Sequence, residues 1–159
     1  MRTDLPEPTG LAIDPEFFKL LTGSFLRLVG RPLLELGNGQ SFGPDWLYRS
    51  TSTVILAHDT APDPRFVYAN IAAQQRFEYA WDEFIGMPSR LSAEAPDRAE
   101  RQSLLEAVER QGFIADYRGI RVKKSGKRFW MEHGVVWQLI DEAGDRHGQA
   151  AAFSSWADL

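Results

Sequence analysis

The spacing of apolar residues along the first part of the chain predicts one amphipathic helix. Asp14 and Pro15 suit the cap and the first turn of a helix, and Gly30 suits its end. Between them an apolar stripe recurs with helical spacing at Phe17, Leu20, Leu21 and Leu28. The pattern therefore predicts a helix over residues 15–29, whose stripe must be buried either on the chain's own core or on a second subunit.

A glycine-rich segment follows this helix. Residues 37–44, GNGQSFGP, are typical of a linker. We therefore predict that residues 1–44 form an N-terminal helical arm and linker, and that residues 45–159 form the main domain.

The middle of the chain changes from strand to helix patterning at Asn70. Runs of β-branched and aromatic residues at 50–59 and 65–70 predict two paired strands. The side-chain oxygen of Asn70 suits the cap of a helix that begins after it. A longer helix is predicted over residues 94–112, with one face formed by Arg101, Leu104, Leu105 and Val108.

The last third of the chain has strand patterning interrupted by two glycine-containing turns, SG and EAGDRH. It predicts three meandering strands. The whole order predicts an α+β domain with a five-stranded antiparallel sheet, helices packed on one face and an additional N-terminal amphipathic helix.

Composition narrows the class of protein. The 159 residues, 43% hydrophobic and 25% charged, are ordinary for one globular domain. The absence of cysteine excludes disulfides, thiolate metal sites and cysteine nucleophiles. The first residues are acidic and proline-rich rather than basic and then apolar, and no apolar run reaches membrane-spanning length, so we expect a cytoplasmic protein.

This order of elements and several motifs resemble the PAS superfamily of sensor domains. The stretch VYANIAAQQRFEYAWDEFIGMP is similar to the PAS segment in which an asparagine ends the second strand, and APDRAERQSLLEAVERQG is similar to the start of the long PAS helix. A closer resemblance is to the MEKHLA domain, a PAS-like family that includes solitary bacterial proteins. It is carried by FVYAN, PSRLSAE, DYRG and AAFSSW in that order, between Trp46 and Trp156. The hexapeptide that names the family is absent from the sequence.

The resemblance implies sensing or protein interaction, and not catalysis. It suggests a small organic ligand held between the helices and the sheet, with signalling through a protein partner or a homodimer. Haem-binding PAS domains commonly use a histidine of the long helix, and residues 97–111 contain none; light-sensing ones trap flavin with a cysteine. We therefore expect neither haem nor covalent flavin, and a non-covalent small molecule stays open.

Large apolar residues of the helical middle and the last strands are the candidates for the ligand pocket. In a PAS-like fold they would line a cavity of roughly 300 Å³ or more. The alternative is that they pack on one another at core density, as in a scaffold or oligomerisation domain. The candidates are Phe77, Tyr79, Trp81, Phe84, Leu104, Leu105, Val108, Trp130, His133 and Trp137.

Strand alternation bears on the histidine among these candidates. It places Phe129, Met131, His133, Val135 and Trp137 on one face of a strand. If that face is inside, the imidazole needs a polar partner, for which Tyr117, Asp59 and a ligand group are the candidates.

A polar network is predicted near the strand ends, formed by His58, Tyr68, Asn70, Arg90 and Tyr117. His58 and Asp59 are adjacent on a strand, so their side chains point to opposite faces and should not form a catalytic pair. A small enzyme that uses His58, His133 or Asp59 is nevertheless kept as an alternative. The three histidines lack the spacing of a metal site, so no metal is expected.

The segment 118–128 carries six cations and no acid: Arg118, Arg121, Lys123, Lys124, Lys127 and Arg128. Such a hairpin could contact phosphates, with neighbouring aromatic side chains stacking on bases. The net charge of -4 favours instead a solvated hairpin that discourages edge pairing, so binding to nucleic acid is not expected.

Overall fold

The computed structural model describes residues 10–33 and 43–159 and confirms the predicted α+β class. Its helices are α1 (Pro15–Val29), α2 (Pro44–Arg49), α3 (Ile71–Phe77), α4 (Trp81–Phe84) and α5 (Arg98–Gln111). Its strands are β1 (Val54–His58), β2 (Phe66–Ala69), β3 (Phe113–Val122), β4 (Arg128–Ile140), β5 (Arg146–Phe153) and β6 (Ser155–Asp158). In the two described ranges, no helix combines the length and the apolarity needed to cross a membrane. The predicted linker at 37–44 lies, apart from its last two residues, outside the described residues.

The strands form one antiparallel sheet in the order β2-β1-β5-β4-β3. The sixth strand was not predicted as a separate element. A short break at Ser154 divides the predicted last strand, and β6 pairs with the first part of β4 while β5 pairs with its second part. After the break, β6 therefore continues beside β4 on the same edge as β5.

Helices cover both faces of this sheet. On one face α3, α4 and α5 pack on the strands, and on the other face α1 does. Phe25 of α1 meets the ring of Trp137 edge-on at 4.9 Å, and the Trp137 indole N–H donates to the carbonyl of Leu21 at 3.2 Å. The apolar stripe predicted for residues 15–29 is therefore buried on the chain's own sheet.

Two facing β-bulges change the direction of the side chains along β4. The pairing between β3 and β4 shifts between Ile114 and Gly119, where Asp116 and His133 both adopt left-handed backbone conformations with φ of 54° and 52°. Each bulge adds one residue, and this inverts the alternation that follows it.

The inversion makes part of the sequence prediction wrong. Phe129 and Met131 face the helices α3 and α4, whereas Val135 and Trp137 face α1. The predicted single face of β4 is divided between two cores, and His133 lies at the point of inversion with its side chain 76% exposed.

The strand-to-helix switch at Asn70 is confirmed. The Asn70 side-chain oxygen accepts from Ala73 N at 3.1 Å as the cap of α3 and also from Ile55 N at 3.0 Å. Its amide group donates to the carbonyls of Thr53 and Leu47 at 2.9 and 3.3 Å. This fully buried side chain ties β1, α2 and α3 together.

Candidate functional site

A cavity of about 40 Å³ lies between α5 and the sheet, on the face that also carries α3 and α4. Its apolar lining includes Leu56, Phe66, Phe77, Leu104, Leu105, Met131 and Phe153. Its polar lining consists of His58, Ser92, Arg101, Arg121 and Gln149. The combination of an apolar wall and a few convergent polar groups is typical of a binding site.

Three of the predicted pocket residues, Phe77, Leu104 and Leu105, line this cavity. Phe84 and Val108 are fully buried in the adjoining core, where Phe84 meets Phe66 and Phe77 edge-on at 4.9 and 5.7 Å. The aromatic set of α3 and α4 is thus packed on itself.

The remaining aromatic candidates lie away from the cavity. Tyr79 and Trp81 line a separate outer groove. Trp137 is buried on the opposite face of the sheet against α1, because the bulge turns it there. Trp130 is half-buried and lies beneath the guanidinium of Arg118, whose central carbon is 3.6 Å from the centre of the indole ring.

His58 is the predicted polar residue that does line the cavity. The side chain of His58 lies on the sheet face that carries α3, α4 and α5. Its strand partner in the β1–β5 pairing, Gln149, points to the same face. The His58 Nδ1 contacts the main-chain oxygen of Asp59 at 2.9 Å. A carbonyl oxygen only accepts, so Nδ1 carries the proton and Nε2 presents a lone pair.

The environment keeps this imidazole neutral. Burial lowers the pKa of His58 to about 4, and the charge of Arg101 acts in the same direction, although the hydrogen bond to Asp59 opposes them. The Nε2 atom is buried and has no hydrogen-bond partner among the described residues. The Asp59 carboxylate binds the main-chain amides of Ala61 and Arg65 instead, so the side chains of His58 and Asp59 do not meet, as predicted.

Two glutamines extend the polar row across the sheet and hold α5. Gln149 donates its amide N–H to the carbonyl of Leu105 at 3.0 Å, and Gln138 donates to the carbonyl of Glu109 at 3.3 Å. The Gln149 side-chain oxygen is buried without a partner. The cavity therefore holds two buried acceptors, His58 Nε2 and Gln149 Oε1, and neither is satisfied within the described residues.

Two buried guanidinium groups also line the cavity. Arg101 of α5 donates to the Ser89 hydroxyl at 2.7 Å. Arg121 of β3 donates to the carbonyl of Ile120 at 2.8 Å and to the Tyr117 hydroxyl at 3.2 Å. Within residues 10–33 and 43–159, no carboxylate forms an ion pair with either arginine.

The burial of these two charges affects the pKa of Arg101. Burial, together with the neighbouring charge of Arg121, lowers the pKa of Arg101 to about 10. Tyr117, whose pKa burial raises to about 12, links Arg121 to the exposed carboxylate of Glu100 through a 2.7 Å hydrogen bond. Positive charge is therefore concentrated around the cavity, and the linked carboxylate lies one hydrogen bond further out.

The predicted polar network is only partly brought together. Asn70 has a structural position at the cap of α3, and Tyr68 packs on the α1 face against Phe17 with ring centres 5.2 Å apart. Burial raises the pKa of the Tyr68 hydroxyl. Arg90 pairs with Asp63 at 3.2 Å on the surface. Of the five predicted residues, His58 lines the cavity and Tyr117 contacts its wall through Arg121.

The other two histidines lie on the surface. His133 Nδ1 pairs with the Asp116 carboxylate at 2.7 Å, and His147 Nε2 pairs with Asp141 at 2.8 Å. The expectation that an inward His133 would contact Tyr117, Asp59 or a ligand is wrong, because the bulge turns its ring outward. In the described part of the chain, no three acidic or histidine side chains converge as a metal site would require.

The cations of the basic hairpin are largely neutralised. Arg118, Lys123, Lys124 and Arg128 pair with Glu132, Asp158, Glu83 and Glu94, and Arg121 is buried. Glu132 lies on β4 of the same hairpin, and the other three acids come from other segments of the chain. This arrangement fits the solvated hairpin better than a phosphate-binding surface.

An outer cleft of about 190 Å³ adjoins the cavity. Its walls are α5 and the loop after β1, and it shares His58, Leu105 and Gln149 with the inner cavity. These three side chains form a partition between the cleft and the cavity. The outer cleft gives the cavity a route to solvent if the half-buried Leu105 changes rotamer.

The cavity is much smaller than the roughly 300 Å³ expected from the sequence. A volume of about 40 Å³ holds roughly three water-sized groups, whereas a pocket for a drug-sized ligand needs about 300 Å³. Because the isoalloxazine ring of a flavin exceeds this space, the residues around the cavity do not fit a flavin in this packing of the helices.

Comparison with known proteins agrees with the fold. The family model for the MEKHLA domain matches residues 15–158. The chain belongs to the MEKHLA domain family. The matched range of this MEKHLA domain begins at α1, so the family pattern includes the helix that packs behind the sheet. A search of curated proteins found no match.

Solved structures similar to this MEKHLA domain are PAS and light-oxygen-voltage (LOV) domains. A PAS domain from Colwellia psychrerythraea is 18% identical, with a TM-score of 0.61 over 72% of this chain and 92% of that one. A variant of the fungal photoreceptor VVD is 19% identical, with a TM-score of 0.58 over 92% and 99% of the two chains. An RNA-binding LOV receptor is 23% identical, with a TM-score of 0.58 over 79% of this chain and 37% of that one. These likenesses show that the chain has the fold of PAS and LOV domains.

The arginines and the glutamines of the site were not predicted as site residues, although the sequence contains signals for them. Arg101 was placed on the same helix face as Leu104 and Val108, where a charged residue is unusual. Gln149 alternates with Ala151 and Phe153 on the inner face of β5, and Arg121 was counted only as one cation of the basic hairpin. A polar residue at an apolar position was the signal in each case.

Proposed function

We propose that this MEKHLA domain is a non-enzymatic, cytoplasmic sensor that binds a small organic molecule in the cavity under α5. Binding would be read by a protein partner or by a second copy of the chain. The observation that carries the proposal is the set of buried polar groups around the cavity. Among the described residues, two of its acceptors have no hydrogen-bond partner and its two guanidinium groups have no carboxylate partner.

Such groups are unfavourable for stability unless a ligand or ordered water contacts them. A buried acceptor without a hydrogen bond costs about 1–3 kcal/mol, and a buried charge without an opposite charge costs more. A binding site that retains them gains specificity when a ligand supplies the missing partners.

The sheet can transmit occupancy of the cavity to α1. Val136 on the cavity side and its neighbour Trp137 on the α1 side belong to the same short piece of β4. A shift of this strand that accommodates a ligand also moves the indole that donates to Leu21. The sensor would therefore act by changing the population of two packings of α1 on the sheet.

The test uses the full chain purified without denaturation. Native mass spectrometry should detect a bound small molecule, and its addition back to stripped protein should shift the NMR signals of His58 and of the Trp137 indole N–H. The variant Ala151→Leu fills the cavity from β5 and should abolish both effects. If no molecule is released, and if Ala151→Leu changes neither stability nor spectrum, the sensor proposal is wrong.

A packed oligomerisation or scaffold domain is the second candidate. The observation that favours it is the close packing of the rings of Phe66, Phe77 and Phe84, which fills the core between α3, α4 and the sheet. This candidate predicts a concentration-dependent mass in light scattering that no small molecule alters, whereas the sensor predicts a response to its ligand.

A further inference from the structure

We infer that the ligand of this cavity is a short hydroxycarboxylic acid, bound through its carboxylate at Arg101 and Arg121 and through its hydroxyl at His58 and Gln149. This inference rests on the proposed function, because it assigns a chemical class to the molecule that the sensor would bind. It follows from two kinds of polar group on the cavity wall: the arginines need an anionic acceptor, and His58 and Gln149 need a hydrogen-bond donor.

The arginines require an anionic acceptor. Each guanidinium has five N–H donors, of which Arg101 uses one on Ser89 and Arg121 uses two on Ile120 and Tyr117. Both side chains are more than nine-tenths buried, with exposed fractions of 7% and 6%. A carboxylate matches the planar fork of a guanidinium and would supply the negative charge that the described residues do not supply.

His58 and Gln149 require a donor. The hydrogen bond of His58 Nδ1 to the Asp59 carbonyl leaves Nε2 as an acceptor, and the bond of Gln149 Nε2 to Leu105 leaves Oε1 as an acceptor. Both residues are more than nine-tenths buried, and neither atom has a hydrogen-bond partner in residues 10–33 and 43–159. A plain carboxylate offers these atoms nothing, since it only accepts, whereas a hydroxyl group donates.

The positive charge of the two arginines favours a hydroxy acid over an amino acid as the ligand. An ammonium group could also donate to His58 and Gln149, but it would lie in a small cavity that already holds two buried cations. A neutral hydroxyl avoids this repulsion. The site therefore selects a molecule with one negative group and one neutral donor.

Size restricts the class further. Glycolate has five non-hydrogen atoms and lactate has six, whereas the inner cavity of about 40 Å³ holds roughly three water-sized groups. Even these short acids therefore extend past the partition at Leu105 into the outer cleft of about 190 Å³, and a longer chain would lie mostly outside the inner cavity.

The first experiment compares small acids by calorimetric titration of the full chain. Glycolate and lactate should bind, and acetate, propionate, glycine and glycolamide should bind at least about tenfold more weakly, because each lacks the hydroxyl, lacks the carboxylate or adds a positive charge. Equal binding of lactate and propionate would overturn the assignment of His58 and Gln149.

Variants of the protein test separately the residues that bind the carboxylate and the hydroxyl of the ligand. Arg101→Gln should weaken lactate by about tenfold or more, whereas Arg110→Gln, an exposed arginine on the same helix, should leave the affinity unchanged. Gln149→Leu should remove the preference for lactate over propionate and still bind both. A variant that merely misfolded would lose both acids, so retained carboxylate binding distinguishes the two outcomes.

The inference and the proposed function can fail independently. If no hydroxy acid binds, but native mass spectrometry finds another molecule whose return shifts the His58 signal, the sensor stands and the chemical class is wrong. If lactate binds without moving the Trp137 indole signal, the class is right and the proposed transmission to α1 is wrong.

Discussion

His58 and Gln149 lie directly opposite each other on β1 and β5, and each holds a buried acceptor atom that no described part of the chain hydrogen-bonds. Both residues also have one satisfied polar atom, which fixes the orientation of the side chain. The unsatisfied atoms are therefore held in place toward the cavity. Three predictions test the surroundings of this pair.

Acid should destabilise the protein through His58. Its pKa of about 4 in the folded chain lies below its ordinary value of 6.5. Between these values the unfolded chain binds a proton that the folded chain does not, so this part of the stability is present above pH 6.5 and is lost as the pH falls toward 4. The loss should reach about 3 kcal/mol.

Urea unfolding of wild type and His58→Gln at several pH values measures this loss. The difference between the two proteins should change across the window, whereas His133→Gln, at an exposed position, should follow the wild type. Parallel curves for wild type and His58→Gln would contradict the buried, neutral imidazole.

Removing a buried charge of the cavity should stabilise the free protein. Arg101→Met replaces an unpaired guanidinium with an apolar side chain of similar length, and we expect a gain of about 1 kcal/mol or more in the free energy of unfolding. Arg110→Met should stay within about 0.5 kcal/mol of wild type. Chemical denaturation without ligand provides the measurement, and a marked loss of stability in Arg101→Met would mean that Arg101 has a structural role.

Gly148 should be indispensable to the position of His58. A Cβ atom at Gly148 would clash with the carbonyl oxygen of His58, where β5 approaches β1 closely. We expect Gly148→Ala to cost more than about 4 kcal/mol, which places it in the exceptional range for a single substitution. Gly144→Ala is the matched control, because Gly144 also has positive φ but has open space around its Cα, and about 1 kcal/mol of backbone strain is expected there.

The two faces of α1 should differ sharply in their effect on stability. Leu21 is fully buried and Leu26 is 51% exposed. Leu21→Ala should therefore cost about 2–5 kcal/mol, and Leu26→Ala should stay within about 0.5 kcal/mol of wild type. Thermal unfolding measures both, and light scattering at the same concentrations shows whether the exposed Leu26 contributes to self-association.

Much of the fold follows from local chemistry that the sequence displays. The caps at Asp14 and Asn70 and the end of a helix at Gly112 are short-range effects, and all three occur where predicted. The long helix was predicted to begin at residue 94, but α5 begins at Arg98. The preceding residues Ala95–Asp97 form a tight turn instead.

The site was harder to predict because it depends on register. Simple alternation along β4 placed His133 and Trp137 in the pocket, and one inserted residue moved Trp137 to the other core and His133 to the surface. Gly134, which directly follows His133, is an isolated glycine inside the strand pattern and is the one local signal of that bulge. The unpaired state of Arg101 could not be predicted either, since it depends on which acids the folded chain brings near.

The paired bulges at Asp116 and His133 also determine which changes of length this hairpin tolerates. Because β3 and β4 each carry one extra residue at the same level, the pairing has the same register on both sides of the bulges. Deleting one residue from either strand alone would turn half of that strand inside out, whereas deleting both would restore a regular ladder. In aligned relatives, gaps at these two positions should therefore occur together.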